Sequence, residues 1–191
     1  ANIKGLHSYF QIRGSSKEVS ADIDRVDMLC NFDAESVVRH IWEVAPGGGI
    51  VCDAGALAMR IFDIPTFPPS FWTEFRKTLE KKDIKPETVG DLLNEVKKNN
   101  IRVFAVPYME LLKDVGQQIG EEKLSKLTRM INILALGVSF GLIDYDKTFV
   151  EKAIRAIFGD RPKIIDMNLL ALGVAYDYAK TKFGDFGLKL E

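Results

Sequence analysis

The residues best suited to hold a ligand lie at the start of the chain, where Lys4, Gly5 and His7 follow one another closely. A lysine ammonium, a glycine N–H and an imidazole can together hold an anionic group through charge and hydrogen bonds. As a bare pattern, these three residues also fit an ordinary surface segment. The spacing therefore indicates an anion-binding candidate and identifies no catalytic residue.

The glycine run that follows Pro46, Gly47–Gly49, lies in the wrong place for a phosphate loop. Such a loop follows a strand and opens a helix, so that free N–H groups and the helix dipole converge on the phosphate. Here the run follows a predicted helix and precedes a predicted strand, which indicates a connection between the two. Asp53–Gly55 does follow a predicted strand, but a single glycine is not a dinucleotide-binding motif.

The cysteines and histidines predict neither a metal site nor a disulfide. Cys30 and Cys52 both lie in apolar segments, which is typical of small buried hydrophobic residues on strands. His7 and His40 are the only histidines of the chain, and no pair among these four residues has metal-ligand spacing. Cysteines used in this way are typical of a reducing compartment, so we expect a cytoplasmic protein.

Charge and hydropathy argue against two large classes of function. Lysine and arginine number 26 against 27 aspartates and glutamates, so the chain lacks the basic excess usual in nucleic-acid-binding proteins. The longest apolar run, residues 130–143, is shorter than the roughly 20 residues needed to span a bilayer. The first residues show no basic stretch followed by an apolar run, so no signal peptide is predicted. We expect neither a nucleic-acid nor a membrane partner.

Residues 1–120 alternate between predicted strands and helices, which is the pattern of an α/β sheet. Asp33 is a predicted N-cap, and Thr88 and Asp91 have capping-box spacing. The predicted strands are Leu6–Arg13 with a hairpin return at Glu18–Ile23, Val26–Phe32, Ile50–Asp53 and Ile101–Val106. The predicted helices are Ala34 to about Val44, Phe71–Lys81, Thr88 to about Lys98 and Tyr108–Ile119, with a proline-rich loop at Phe62–Ser70.

Residues 121–191 are predicted to be helical and contain an internal repeat. Asn132–Phe140 and Asn168–Tyr176 match at six of nine positions, 36 residues apart. Small residues in both segments would let two helix backbones approach closely on a shared core. The positions assigned to this helix packing are Asn132, Gly137, Gly141, Asn168 and Gly173.

Two further expectations concern this helical part. The amides of Asn132 and Asn168 are expected to bond to loop backbone or to each other, because an unsatisfied buried amide costs about 1–3 kcal/mol. Between the repeats, Tyr145–Gly159 is a predicted amphipathic helix. Its apolar side is formed by Phe149, Val150, Ala153, Ile154 and Ile157.

Three segments together resemble a known family, the gamma-type domain of 2-oxoacid:ferredoxin oxidoreductases. The segments Asn2–Phe10 and Val26–Glu35 are similar to the entry strand and the strand-and-turn of that domain, in the archaeal branch where it is fused to the alpha subunit. Arg129–Gly137, with Gly141–Ile143, Phe158 and Asn168, resembles its C-terminal helices. The likeness spans nearly the whole chain and is weaker over residues 54–98.

The resemblance implies a single gamma-type domain over residues 1–191, a Rossmann-like open sheet flanked by helices with a helical C-terminal subregion. The family's domain opens with a glycine-rich strand–turn–helix, and no such segment precedes the region matched here. We therefore expect this chain to lack the first strand and helix of the family's fold.

The resemblance also implies a role in an enzyme that decarboxylates a 2-oxoacid on thiamine diphosphate. Electrons would pass through iron–sulfur clusters to ferredoxin, and the acyl group would leave on coenzyme A. Thiamine diphosphate, Mg and the clusters are expected on the alpha- and beta-type parts and none on this chain, which would contact ferredoxin only indirectly. The expected coenzyme A or interface residues are Asn2, Lys4, Gly5 and His7, and no catalytic residue is expected.

Two other functions stay open from the residues alone. One is a stand-alone Rossmann-like module that binds a nucleotide, and the other is a purely structural assembly domain. The sequence also leaves open which 2-oxoacid is used, whether pyruvate, 2-oxoglutarate or a branched or aryl acid. If the resemblance holds, the isolated chain is expected to be inactive.

Overall fold

The computed structural model describes residues 7, 9–15, 18, 20, 23–121 and 123–188. In this part of the chain, three parallel strands form an open sheet in the order β1-β2-β3. The strands are β1 (Val26–Cys30), β2 (Val44–Asp53) and β3 (Arg102–Val106). The helices are α1 (Ala34–His40), α2 (Pro69–Lys81), α3 (Val89–Lys97), α4 (Tyr108–Ile119), α5 (Leu124–Leu127), α6 (Ile131–Leu142), α7 (Lys147–Phe158) and α8 (Pro162–Phe183).

The central strand, β2, is buried on both faces. Ile50, Val51 and Cys52 have no exposed surface. Ile50 and Cys52 join the apolar core formed with α1, α2 and α3, whereas Val51 joins the core formed with α4, α6 and α8. Such a continuous apolar run is typical of a parallel strand covered on both sides. The predicted α/β class, an open sheet flanked by helices with a helical C-terminal part, is confirmed.

The predicted helix boundaries are confirmed where a local hydrogen bond fixes them. The Asp33 carboxylate accepts a hydrogen bond from the Ser36 N–H at 2.7 Å, which caps α1. Thr88 and Asp91 form the full capping box of α3. Gly120 ends α4 with a φ of 68°, a left-handed conformation that glycine adopts without steric cost.

The glycine run is part of a strand, so the prediction that it only connects a helix to a strand is wrong. β2 begins at Val44 and includes Gly47–Gly49. Between Val26 and Met28, two steps along β1 match five steps along β2, from Val44 to Gly49. The extra residues form a bulge, in which Gly47 has a φ of 83°. The backbone geometry of this bulge explains why glycine is required there.

The strand predicted at Leu6–Arg13 and its return at Glu18–Ile23 are not found in the described residues of these ranges, which have no strand pairing. Phe10 and Ile12 are 94% and 91% exposed. Alternating apolar residues form a strand only where they pair with a neighbouring strand, and among the described residues β1 pairs with β2 alone although its outer edge is open.

The two cysteines differ in burial. Cys52 lies on the central strand and is buried, as predicted, and both thiols are free. Cys30 is exposed, so the prediction that it is a buried residue is wrong. Its strand, β1, forms one edge of the described sheet and is covered less completely than β2. The Cys30 sulfur lies 2.8 Å from the Ser139 hydroxyl oxygen of α6.

The internal repeat forms α6 and α8, which pack against each other at glycine positions. A Cβ atom added at Gly137 would lie 2.8 Å from the Ala175 Cβ and from the Leu172 carbonyl oxygen. At Gly141 it would lie 2.8 Å from the Tyr176 carbonyl oxygen. The two backbones therefore approach as closely as predicted. In the described residues, no helix has both the length and the apolar composition needed to cross a bilayer.

Three predictions for the repeat are wrong. Asn132 is exposed and needs no buried partner. Asn168 is buried, but its amide donates to the Ile164 carbonyl of its own helix at 2.6 Å, neither to a loop nor to Asn132. Gly173 faces open space, with nothing within 4 Å of an added Cβ, because the helical period places it away from α6.

The helix between the repeats, α7, buries less of its apolar side than predicted. Val150 and Ile154 are buried against α6 and α8. Phe149 and Ile157 are 56% and 75% exposed, and Ala153 is exposed as well. Helical spacing correctly places these residues on one side of α7, but only Val150 and Ile154 of that side face α6 and α8.

The glycine packing predicts opposite effects for one substitution made at two positions. Gly137→Ala is expected to lower the free energy of unfolding, because overpacking costs about 1–3 kcal/mol and helix propensity returns at most about 1 kcal/mol. Gly173→Ala is expected to raise it by about 0.5–1 kcal/mol, since that position is open. Urea unfolding followed by circular dichroism measures both variants. Shifts of the two midpoints in the same direction would contradict the packing described.

Candidate functional site

Of the four residues predicted to face a ligand or an interface, His7 is the one that the structure describes. Asn2, Lys4 and Gly5 lie outside the described residues, so their roles stay predictions. His7 is half-buried against the C-terminal half of α1. It contacts His40 there, which brings both histidines of the chain into one site.

The two imidazole rings are joined by a short contact. The Nε2 atoms of His7 and His40 lie 2.8 Å apart, and the ring centroids are 5.0 Å apart with the ring planes inclined by 30°. The His40 Nδ1 atom lies 2.8 Å from the carboxylate of Glu43, a residue of the helical turn Ile41–Glu43 that follows α1. His40 is 6% exposed. A continuous series of short contacts therefore links the Glu43 carboxylate to the His40 ring and the His40 ring to the His7 ring.

Tyr9 covers the histidine pair. Its ring centroid lies 4.6 Å from that of His40 and 6.0 Å from that of His7. The Tyr9 side chain itself is largely exposed. These ring contacts, together with the contact between the imidazoles, hold His7 and Tyr9 against α1.

A second carboxylate lies on the other side of His7. Glu35 Oε1 is 3.9 Å from His7 Nδ1 and accepts a hydrogen bond from the Arg39 guanidinium at 2.6 Å. Partial burial alone would raise the pKa of Glu35, but hydrogen bonds from Thr66 and Arg39 outweigh it and hold the pKa below its usual value. Glu35 is therefore ionised near neutral pH.

Burial is the main cause that lowers the pKa of His7, followed by the nearby His40 and Arg39. The negative charges of Glu35 and Asp33 act in the opposite direction and are weaker. His7 is thus neutral near pH 7. In that state its ring can donate one hydrogen bond and accept another, which suits contact with a polar ligand group.

Arg39 is fixed by aromatic residues of the loop that precedes α2 and of α2 itself. Its guanidinium carbon lies 4.8 Å from the Phe67 ring centroid and 5.2 Å from the Phe71 ring centroid, and the two rings stack at 4.0 Å. The Arg39 Nε atom is buried and has no hydrogen-bond partner among the described residues. The cation is therefore held in place mainly by its ring contacts and by Glu35.

The carboxyl end of the sheet carries a polar residue that sequence reasoning missed. Asn31 follows β1 directly, is 1% exposed, and neither atom of its side-chain amide has a partner among the described residues. Its backbone carbonyl accepts a hydrogen bond from the buried Tyr108 hydroxyl at 3.4 Å. Ligands of open α/β sheets bind at this end. The signal for this residue was present in the sequence, as a polar amide directly after an apolar strand.

The described residues do not fit a metal centre or a reactive thiol. Within residues 7–188, apart from the few left undescribed, no three histidine, cysteine, aspartate or glutamate side chains are grouped so that they could hold a metal ion. Burial, with a smaller contribution from Asp53, raises the pKa of Cys52 to about 12, so this thiol stays protonated. The site around His7 and His40 can therefore bind and orient a polar ligand group and exchange protons with it.

The sequence matches the family described as "Pyruvate ferredoxin/flavodoxin oxidoreductase" over residues 1–178. It is 28% identical to "2-oxoacid:ferredoxin oxidoreductase 2, subunit alpha" of Aeropyrum pernix, over 97% of this chain and 28% of that subunit. The corresponding subunit 1 alpha of Sulfurisphaera tokodaii is also 28% identical, over 96% of this chain and 28% of the subunit. The chain thus spans little more than a quarter of these relatives.

A solved structure shares the fold. It is the 2-oxoglutarate:ferredoxin oxidoreductase from Magnetococcus marinus with 2-oxoglutarate, coenzyme A and succinyl-CoA bound. The TM-score is 0.59 at 17% sequence identity, and the match covers 93% of this chain and 24% of that one. The resemblance noted in the sequence is confirmed at the level of the family. Since the family match covers most of its length, this chain belongs to the pyruvate ferredoxin/flavodoxin oxidoreductase family.

Proposed function

We propose that this chain is the gamma-type domain of a 2-oxoacid:ferredoxin oxidoreductase, of the branch in which this domain and the alpha part form one polypeptide. The observation that carries the proposal is the match over nearly the whole chain to about a quarter of two alpha subunits. The enzyme would convert a 2-oxoacid to its acyl-coenzyme A and reduce ferredoxin. It would work in the cytoplasm.

In this proposal the chain supplies packing surface and contacts on the coenzyme A side. Lys4 would neutralise part of the negative charge of coenzyme A, and Asn2 and Gly5 would add hydrogen bonds. His7 would be held at the edge of this site by His40. Support comes from the chemistry of these side chains and from the coenzyme A bound in the similar structure.

The residues of this chain do not fit an iron–sulfur cluster, which needs about four thiolates where the chain has Cys30 and Cys52. Thiamine diphosphate, Mg and the clusters are therefore assigned to the alpha- and beta-type parts. When bound there, thiamine diphosphate would supply the decarboxylation chemistry. The chain would contribute shape and binding, and it would meet ferredoxin only through the assembled enzyme.

Purification from a natural source tests the proposal. An affinity-tagged chain, expressed within its own polypeptide, is expected to bring down thiamine diphosphate and iron. The purified material should reduce ferredoxin only when both a 2-oxoacid and coenzyme A are supplied. A monomer without thiamine that binds a nucleotide by itself would contradict the proposal and favour the stand-alone module.

Lys4→Ala in the assembled enzyme tests the coenzyme A contact. The KM for coenzyme A is expected to rise about tenfold, because a hydrogen bond to a charged group contributes about 1.5–3 kcal/mol. The KM for the 2-oxoacid should not change. Lys98→Ala, at an exposed lysine that pairs with Glu95 on α3, is the matched control. Equal KM values for coenzyme A in the two variants would remove Lys4 from the site.

A further inference from the structure

The short contact between His7 and His40 limits which ring nitrogens can carry a hydrogen. Two Nε2 atoms at 2.8 Å can be in contact only if one carries a hydrogen and the other offers a lone pair. Glu43 accepts from the other nitrogen of His40, Nδ1. With both rings neutral, His40 therefore donates from Nδ1 to Glu43 and accepts at Nε2 from the Nε2–H of His7.

One added proton leaves the hydrogen bond between the two rings in place. If it binds at His7 Nδ1, the new N–H faces Glu35 at 3.9 Å, and the hydrogen bond between the rings is unchanged. If it is placed on His40 instead, that ring donates to both Glu43 and His7. In either case one carboxylate lies beside the charged ring. The pair thus holds together with either zero or one added proton.

A second added proton breaks the arrangement. Both Nε2 atoms would then carry hydrogens, and two positive rings would lie with their centroids 5.0 Å apart. His40 is the last residue of α1 and is 6% exposed, whereas His7 and the described residues 9–15 belong to no strand. Separation would therefore move His7 and Tyr9 away, while α1 and the sheet stay in place.

The surrounding charges fix the pH range. Glu35, Arg39 and Asp33 of the α1 region and Glu43 of the following turn face the pair, and Tyr9 covers it. Arg39 opposes protonation of His7, as does burial, whereas the carboxylates favour it. The net result lowers the pKa of His7. The detached His7 consequently takes up a proton more readily, so attachment is strongest above the ordinary histidine pKa of about 6.5 and weakens as pH falls below it.

We propose that the His7–His40 pair is a proton-operated latch, which holds the segment around His7 and Tyr9 on α1 with at most one added proton and releases it when both rings are protonated. The latch goes beyond the proposed function and does not depend on it.

Nuclear magnetic resonance of the full chain tests the latch directly, because every imidazole signal comes from one of these two residues. At about pH 8 we expect a cross-peak between the two rings and ¹⁵N shifts showing His7 protonated on Nε2 and His40 on Nδ1. At about pH 5 the cross-peak should be lost, while contacts between Gly137 and Ala175 remain. His7→Gln and His40→Gln should each leave a single ring that titrates in one step.

Tyr9→Phe serves as the matched control, since it keeps the ring that covers the pair while removing the hydroxyl. It should retain the cross-peak at about pH 8 and its loss at about pH 5. Two rings that titrate independently with no cross-peak at high pH would overturn the latch. A cross-peak that persists when both rings are fully protonated would overturn it as well.

Discussion

The burial of β2 on both faces is the constraint on which the rest of the structure depends. Ile50, Val51 and Cys52 have no exposed surface, and full burial of one such aliphatic side chain stabilises the fold by about 1.5–3 kcal/mol. Both faces of the sheet must therefore be covered. Helices α1, α2 and α3 cover one face, and α4, α6 and α8 cover the other. Gly137 and Gly141 allow α6 and α8 to approach closely enough to form that second layer.

Covering both faces leaves only the edges and ends of the sheet for ligands and partners. At the carboxyl end, Asn31 is buried beside Tyr108, and its side-chain amide has no hydrogen-bond partner among the described residues. Beside α1, His7 is held by His40 instead of by a strand. The polar groups with unusual surroundings thus lie at the carboxyl end of β1 and beside α1, which fits a domain that binds and positions.

Sequence patterns correctly predicted features that depend on residues a few positions apart, such as helix caps. They failed for features that depend on contacts between distant segments, such as strand pairing. Thr88 and Asp91 cap their helix through bonds across three positions, so their spacing alone was enough. The strand that contains Gly47–Gly49 depends on pairing with β1, which no local pattern reveals. For the site, the residue types singled out His7. Its partner His40 was missed, because 33 residues separate them and His40 lies in an ordinary helix.

The magnitudes explain how a proton could move one segment and leave the domain folded. A shift of one pKa unit corresponds to 1.36 kcal/mol, and a typical hydrogen bond contributes about 0.5–1.5 kcal/mol net. A single hydrogen bond such as that between His7 and His40 is therefore weak enough for a modest change in proton binding to offset it. Native domains as a whole typically have a stability of about 5–15 kcal/mol. Protonation can consequently open the contact between His7 and His40 while the two helical layers on β2 remain closed.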